Sequence, residues 1–248
     1  MTPALEVEDL WFSYPDGTEV LKGVDFHIHP GERVALLGPN AAGKTTLALH
    51  LNGILTPDRG RVTVAGSPAV DENWKEIRRR TGLVFQDSDD QLFMPTVRQD
   101  VAFGPANYGL SGDELERRVS VALSAVGMAE VADRAPHHLS GGERRRVAVA
   151  TVLSMQPEIL VLDEPTSNLD PASRRELVDI LLDLGITLLV VTHDLPYALE
   201  LCPRSLLMDG GRIVADGPTA ELLSDRQLLA AHRLELPFGF DPAFTRRS

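Results

Sequence analysis

The run Gly38-Pro39-Asn40-Ala41-Ala42-Gly43-Lys44-Thr45 constrains the fold most, because it lies between an apolar segment, Val34 to Leu37, and a helical pattern that continues through Leu51. Its glycines permit backbone angles at which successive N–H groups converge on phosphate oxygens, and the helix that follows turns its positive end toward an anion. Strand, loop and helix in this order make the spacing a nucleotide-binding loop, with Thr46 the next residue on the same helix. Lys44 places a compact ammonium between the β- and γ-phosphates of ATP, and the Thr45 hydroxyl is a ligand for Mg²⁺. Among 24 basic residues only Lys22, Lys44 and Lys75 are lysines. Arginine's planar fork fits a phosphate cradle poorly, so the choice of lysine at 44 is informative.

The surrounding pattern supplies the sheet that such a loop needs. Strands are expected at Leu5 to Phe12, Val20 to Ile28, Val34 to Leu37 and Arg61 to Val64. Turns at Pro15-Asp16-Gly17 and His29-Pro30-Gly31-Glu32 suggest an antiparallel layer. Helices are expected at Trp74 to Arg80, Val97 to Tyr108, Asp113 to Val126 and Gly141 to Met155, with a strand at Gly82 to Phe85. Ile159 to Leu162 and Thr187 to Thr192 are short and fully apolar, as strands buried in a parallel sheet are, and a helix from Ala172 to Leu184 separates them. A hairpin over Arg204 to Met208 and Arg212 to Ala215 and a short helix near Thr219 to Leu223 follow; residues 236–248 read as a loose tail.

The strand at Ile159 ends in Asp163 and Glu164, which places two carboxylates at the carboxyl end of a sheet strand, where open α/β sheets bind ligands. Asp163 is suited to hold Mg²⁺, directly or through water, and Glu164 to orient and polarise the attacking water. A third element, Leu139-Ser140-Gly141-Gly142-Glu143, has the spacing of a helix capping box at Ser140 and Glu143. Capping alone does not account for two adjacent glycines, which expose bare N–H groups at the positive end of a helix.

Composition narrows the class. A net charge of −12 disfavours a phosphate-backbone binder, so no nucleic-acid partner is expected. No segment reaches the ~20 apolar residues that cross a bilayer, and the first ten residues carry Glu6, Glu8 and Asp9, unlike a signal peptide, which predicts a cytosolic protein. The single cysteine, Cys202, is given no role.

Taken together, these motifs resemble the ATP-binding subunit of an ABC transporter, across Leu5 to Leu223. The resemblance implies an α/β fold of the P-loop NTPase, ABC ATPase type: a mixed, largely parallel sheet core, an antiparallel β layer and an inserted helical subdomain at about 86–155, all in one domain over 1–235. It assigns Leu139 to Glu143 to the signature that binds the γ-phosphate of a nucleotide held by a partner subunit, so a head-to-tail dimer with a second ATPase, identical or not, is implied. It likewise gives Tyr14 to stacking on adenine, Gln86 to sensing Mg²⁺ and the attacking water, His193 to the γ-phosphate, and Ser167-Asn168-Leu169-Asp170 to coupling of the two nucleotide sites. One departure is Ala41, where the family commonly has glycine; alanine tolerates positive φ poorly.

Within the family, Gln86-Asp87-Ser88-Asp89-Asp90-Gln91-Leu92-Phe93, then Pro95-Thr96-Val97 and Val101-Ala102-Phe103-Gly104-Pro105, resembles energy-coupling-factor importers, particularly the cobalt and nickel branch. That resemblance implies a subunit on the cytoplasmic face of the membrane. It implies partners too: a transmembrane coupling subunit, docking at Leu92, Phe93 and Met94, and a substrate-binding membrane subunit. Alternatives are the same role in an importer of biotin or another vitamin, and a soluble cassette ATPase acting on nucleic acid.

Overall fold

The computed structural model describes residues 2–242. β1 (Leu5–Ser13) and β2 (Glu19–Ile28) pair antiparallel, and β3 (Arg33–Leu37) then runs into the glycine loop and α1 (Lys44–Leu51). β4 (Arg59–Val64) and β5 (Ser67–Pro68) complete a four-stranded antiparallel sheet in the order β2-β1-β4-β5. The chain continues through α2 (Trp74–Arg80), β6 (Thr81–Val84), α3 (Val97–Asn107), α4 (Gly112–Ala125), α5 (Gly141–Leu153), β7 (Ile159–Asp163), α6 (Pro171–Asp183) and β8 (Thr187–Val191). It ends with α7 (Leu195–Leu201), β9 (Arg204–Asp209), β10 (Arg212–Pro218), α8 (Thr219–Ser224) and α9 (Arg226–Ala231).

The second sheet has six strands in the order β10-β9-β3-β8-β7-β6. All its pairings are parallel except the β9–β10 hairpin. Its central strands β3, β7 and β8 are apolar at every interior position because both faces are covered. The pleat splits them: Val34, Leu36, Ile159, Val161, Leu189 and Val191 join a core that faces α1 and the antiparallel layer. Their neighbours Ala35, Leu37, Leu160, Leu162, Leu188 and Val190 join a core shared with α5, α6 and α7. β3, β7 and β8 thereby bring their carboxyl ends together at one edge of the sheet.

Most expected elements stand within a residue or two of their anticipated ends, the ordinary spread for helix and strand termini. Two helices were not anticipated. α7 begins at Asp194, whose carboxylate accepts from the Tyr197 amide, with a proline in the first turn. α9 is capped by Asp225, which accepts from the amides of Gln227 and Leu228. Beyond α9, Leu234 and Leu236 pack against the core, and the Phe240 amide donates to the Pro237 carbonyl. Residues 243–248 of the expected tail lie outside the described residues. Cys202 is buried, and burial pushes its thiol well above the ordinary range.

Candidate nucleotide site

The glycine loop sits at the carboxyl end of β3 because β9 closes over it from one side. A Cβ on Gly38 would collide with the Met208 carbonyl, so only glycine permits this approach. Gly43, at φ 103°, stands in the left-handed region before α1, and a Cβ there would press on Met208, Leu21 and Val20 at 3.0–3.2 Å. Ala41 also adopts positive φ, at 61°. Alanine is therefore held here at a φ that L residues avoid.

Lys44 is buried, and its Nζ donates to the carbonyls of Gly38 at 2.7 Å and Pro39 at 2.9 Å. Burial pulls its ammonium below the ordinary lysine value, and the negative charges of Glu164 and Asp163 oppose that pull. Across the cleft, Asp163 ends β7 almost fully buried, with Oδ1 accepting no hydrogen bond. Burial raises its carboxyl pKa; the Thr45 hydroxyl works in the other direction. An orphaned, buried carboxylate oxygen beside a threonine hydroxyl is the arrangement a hard divalent cation completes. Among the described residues no cluster of His, Cys, Asp and Glu could hold a metal alone. Thr45, Asp163 and Gln86 therefore fit Mg²⁺ that takes its remaining ligands from phosphate and water.

Glu164 is buried at φ 45°, fixed by its amide donating to the Val191 carbonyl at 2.8 Å. Its Oε1 lies 2.7 Å from His193 Nδ1, and its Oε2 accepts from the Thr192 hydroxyl at 3.3 Å. A carboxylate can only accept, so the imidazole carries its proton on Nδ1 in this contact. His193 itself remains largely exposed. One cavity is lined by Asn40 to Thr46, Gln86, Asp163, Glu164 and His193 together. Tyr14 stands beside it, with its hydroxyl 3.1 Å from Thr46 Oγ1 and its ring edge-on to Phe12.

The signature does not line that cavity. Ser140 and Glu143 form the reciprocal capping box, with the Ser140 amide donating to Glu143 Oε2 at 2.7 Å and the Glu143 amide to Ser140 Oγ at 3.3 Å. Leu139 is core. The two glycines differ: a Cβ at Gly142 would collide with Ser173, whereas around Gly141 there is open space. Gly141 instead faces a neighbouring cleft with Ser167, Asn168 and Leu169, and that cleft shares Thr45, Gln86 and Asp163 with the first. Asp170 caps α6, accepting from the amides of Ala172 and Ser173.

Of the anticipated docking residues, Leu92 belongs to the core, whereas Phe93 is 60% exposed and meets Phe103 edge-on at 4.9 Å. The amides of Phe93 and Met94 both donate to Asp100 Oδ1, at 3.0 and 2.9 Å, which fixes this turn. Arg145 was missed. Buried on α5, its guanidinium donates to the Phe85 carbonyl at 2.6 Å and to the Gln86 carbonyl. It thus ties the signature helix to Gln86. In the sequence it is the middle of three consecutive arginines, and nothing marks it apart from its half-buried neighbours.

A family model described as ABC transporter matches residues 21–167. A putative ABC transporter ATP-binding protein of Streptomyces coelicolor is 70% identical over 99% of this chain and 94% of its own length. The energy-coupling factor transporter ATP-binding protein of Methanocaldococcus jannaschii is 48% identical over 94% of this chain and 85% of its own. Among solved structures, CbiO1 of Clostridium perfringens, part of an ABC transporter complex CbiONQ, superposes with TM-score 0.83 at 39% identity, covering 96% of this chain and 97% of that one. An ATP-binding cassette solved as a dimer in a post-hydrolysis state with ADP and phosphate superposes with TM-score 0.77 at 27% identity, covering 87% and 98%.

Proposed function

Because the chain belongs to the ABC transporter ATP-binding family, we propose that its ATP hydrolysis powers a membrane importer of the energy-coupling-factor type, with cobalt or nickel ions as cargo. The observation that carries the reading is the single cavity holding the glycine loop, Asp163, Glu164 and His193, with the signature outside it.

ATP enters with its phosphates on the loop amides, and Lys44 exchanges its contacts with Gly38 and Pro39 for β- and γ-phosphate oxygens. Thr45, Asp163 and Gln86 would hold Mg²⁺, which would supply positive charge to offset that of the phosphates. Glu164, held by His193 and Thr192, accepts the proton of the attacking water. Tyr14 stacks on the adenine. The signature at Leu139 to Glu143 reaches the γ-phosphate of a partner chain's nucleotide, and Ser167 to Asp170 couple the two sites. The helices between β6 and β7 act as the subdomain that meets the membrane subunit, with Phe93 and Met94 at its surface and Leu92 supporting them from the core. No described helix is long and apolar enough to cross a membrane, consistent with a peripheral subunit on the cytoplasmic face.

Glu164→Gln should retain ATP binding and lose about a hundredfold or more in turnover. Uptake of labelled cobalt, nickel and biotin by cells carrying the native chain or Lys44→Ala tests the cargo. Loss of cobalt or nickel uptake alone supports the reading; loss of biotin uptake alone, or equal uptake of all three, overturns the metal assignment.

A further inference from the structure

The glycine loop is braced by a turn that also reaches the far end of the chain. The turn Asp209-Gly210-Gly211 joins β9 to β10, and the Gly211 amide donates to the Ala42 carbonyl at 3.2 Å. The same residue's carbonyl accepts from the Lys22 amide at 2.9 Å, which locks the turn onto β2. Met208, the residue before the turn, has its carbonyl where a Cβ on Gly38 would stand and its side chain 3.0 Å from where a Cβ on Gly43 would stand. The loop is thus held at its start, middle and end by residues 208–211.

Asp209, in this brace, pairs with His232: Oδ2 lies 2.8 Å from Nδ1, and the pair is partly shielded from water. His232 caps α9, whose Leu229 is buried in the core beside Leu234. This C-terminal segment lies beyond the stretch matched by the family model, which ends at residue 167.

We infer that Asp209 and His232 are positioning residues for the glycine loop, so that seating of the C-terminal segment and nucleotide binding favour each other. The geometry gives the reason. The loop must be preorganised to present its amides, and Ala41 holds it at an unfavourable φ, so a brace against relaxation raises affinity. Releasing His232 frees Asp209, and the turn that contacts Ala42 then moves more easily. Neither side chain touches the reacting atoms, so the effect falls on binding rather than on the chemical step. Coupling free energies are reciprocal, so nucleotide must in turn quiet the segment.

The inference rests on ATP occupying this loop and is tested separately from it. His232→Ala removes the contact, and His232→Asn restores a donor at the place of Nδ1. In the full chain, His232→Ala should raise the Kd for a fluorescent ATP analogue about fivefold, with kcat within about twofold of the native chain. His232→Asn should return Kd to within about twofold. In the native chain, the non-hydrolysable analogue AMP-PNP should slow amide hydrogen exchange over residues 226–234, and His232→Ala should abolish that slowing. An unchanged Kd in His232→Ala overturns the inference, as does a Kd that rises equally in both variants alongside a lower unfolding midpoint. Absence of ATP binding by the native chain would instead overturn the functional reading beneath it.

Discussion

Two residues in the nucleotide cavity are kept at a cost to the fold. Ala41 at φ 61° occupies a conformation that L residues avoid, which glycine adopts freely. Ala41→Gly should raise the unfolding free energy by about 0.5–1 kcal/mol, part of the relief being offset by glycine's greater freedom when unfolded, as measured by denaturant midpoint. Asp163 is the second case: buried, with one oxygen unpaired and a raised pKa. A raised carboxyl pKa means that the folded state resists the charged form. Its penalty is therefore full above the folded pKa, is lost as pH falls from the folded pKa to the unfolded one, and is absent below both. Asp163→Asn should raise the unfolding midpoint by about 2 °C at neutral pH without nucleotide, by less toward acid pH, and should abolish Mg²⁺-dependent turnover. Calorimetry at several pH values checks the slope, and an acid-side gain as large as the neutral one would contradict it.

At the scale of elements, the signature helix separates folding from function at adjacent positions. Gly142 meets Ser173 of α6, so Gly142→Ala should destabilise the chain by about 1–3 kcal/mol, and Ser173→Gly should recover part of the loss. Gly141 faces open space, so Gly141→Ala should leave the unfolding midpoint within about 0.5 kcal/mol of native while lowering turnover. Thermal melts and phosphate release measured on the same samples distinguish the two. The sequence made the sheet strands and most helices legible because burial on both faces leaves continuous apolar runs, and because caps such as Ser140 and Asp170 announce helix starts. It also placed Lys44, Asp163, Glu164 and His193 near one another, since each follows or ends a β-strand at the same sheet edge. What it hid were contacts without a local pattern: Arg145 on two carbonyls, Asp209 on His232, and the inward turn of Leu92. α7 and α9 escaped for a different reason, since helices of 7 and 6 residues carry too little periodicity to stand out.

At the scale of the whole molecule, the proposed function has the signature, which lies outside the phosphate cavity of its own chain, complete the site of a second chain arranged head to tail. Lys44→Ala chains keep their signature and Gly141→Ala chains keep their glycine loop. Lys44→Ala chains alone should be inactive and Gly141→Ala chains alone impaired, and mixing them should raise turnover above either, because the mixed dimer would contain one complete composite site. Turnover that rises above neither variant's own at any mixing ratio, with dimers present by light scattering, would reject the shared site. The buried thiol of Cys202 bears on how such an assembly can be followed. Buried and with its ionisation disfavoured by the core, Cys202 should react slowly with alkylating probes, so a cysteine placed on the surface should label in preference to it. Spin labels at such handles, one near Ala41 and one near Gly141 of the opposing chain, would then report the opening and closing of the dimer as a distance, with little background from the protein itself.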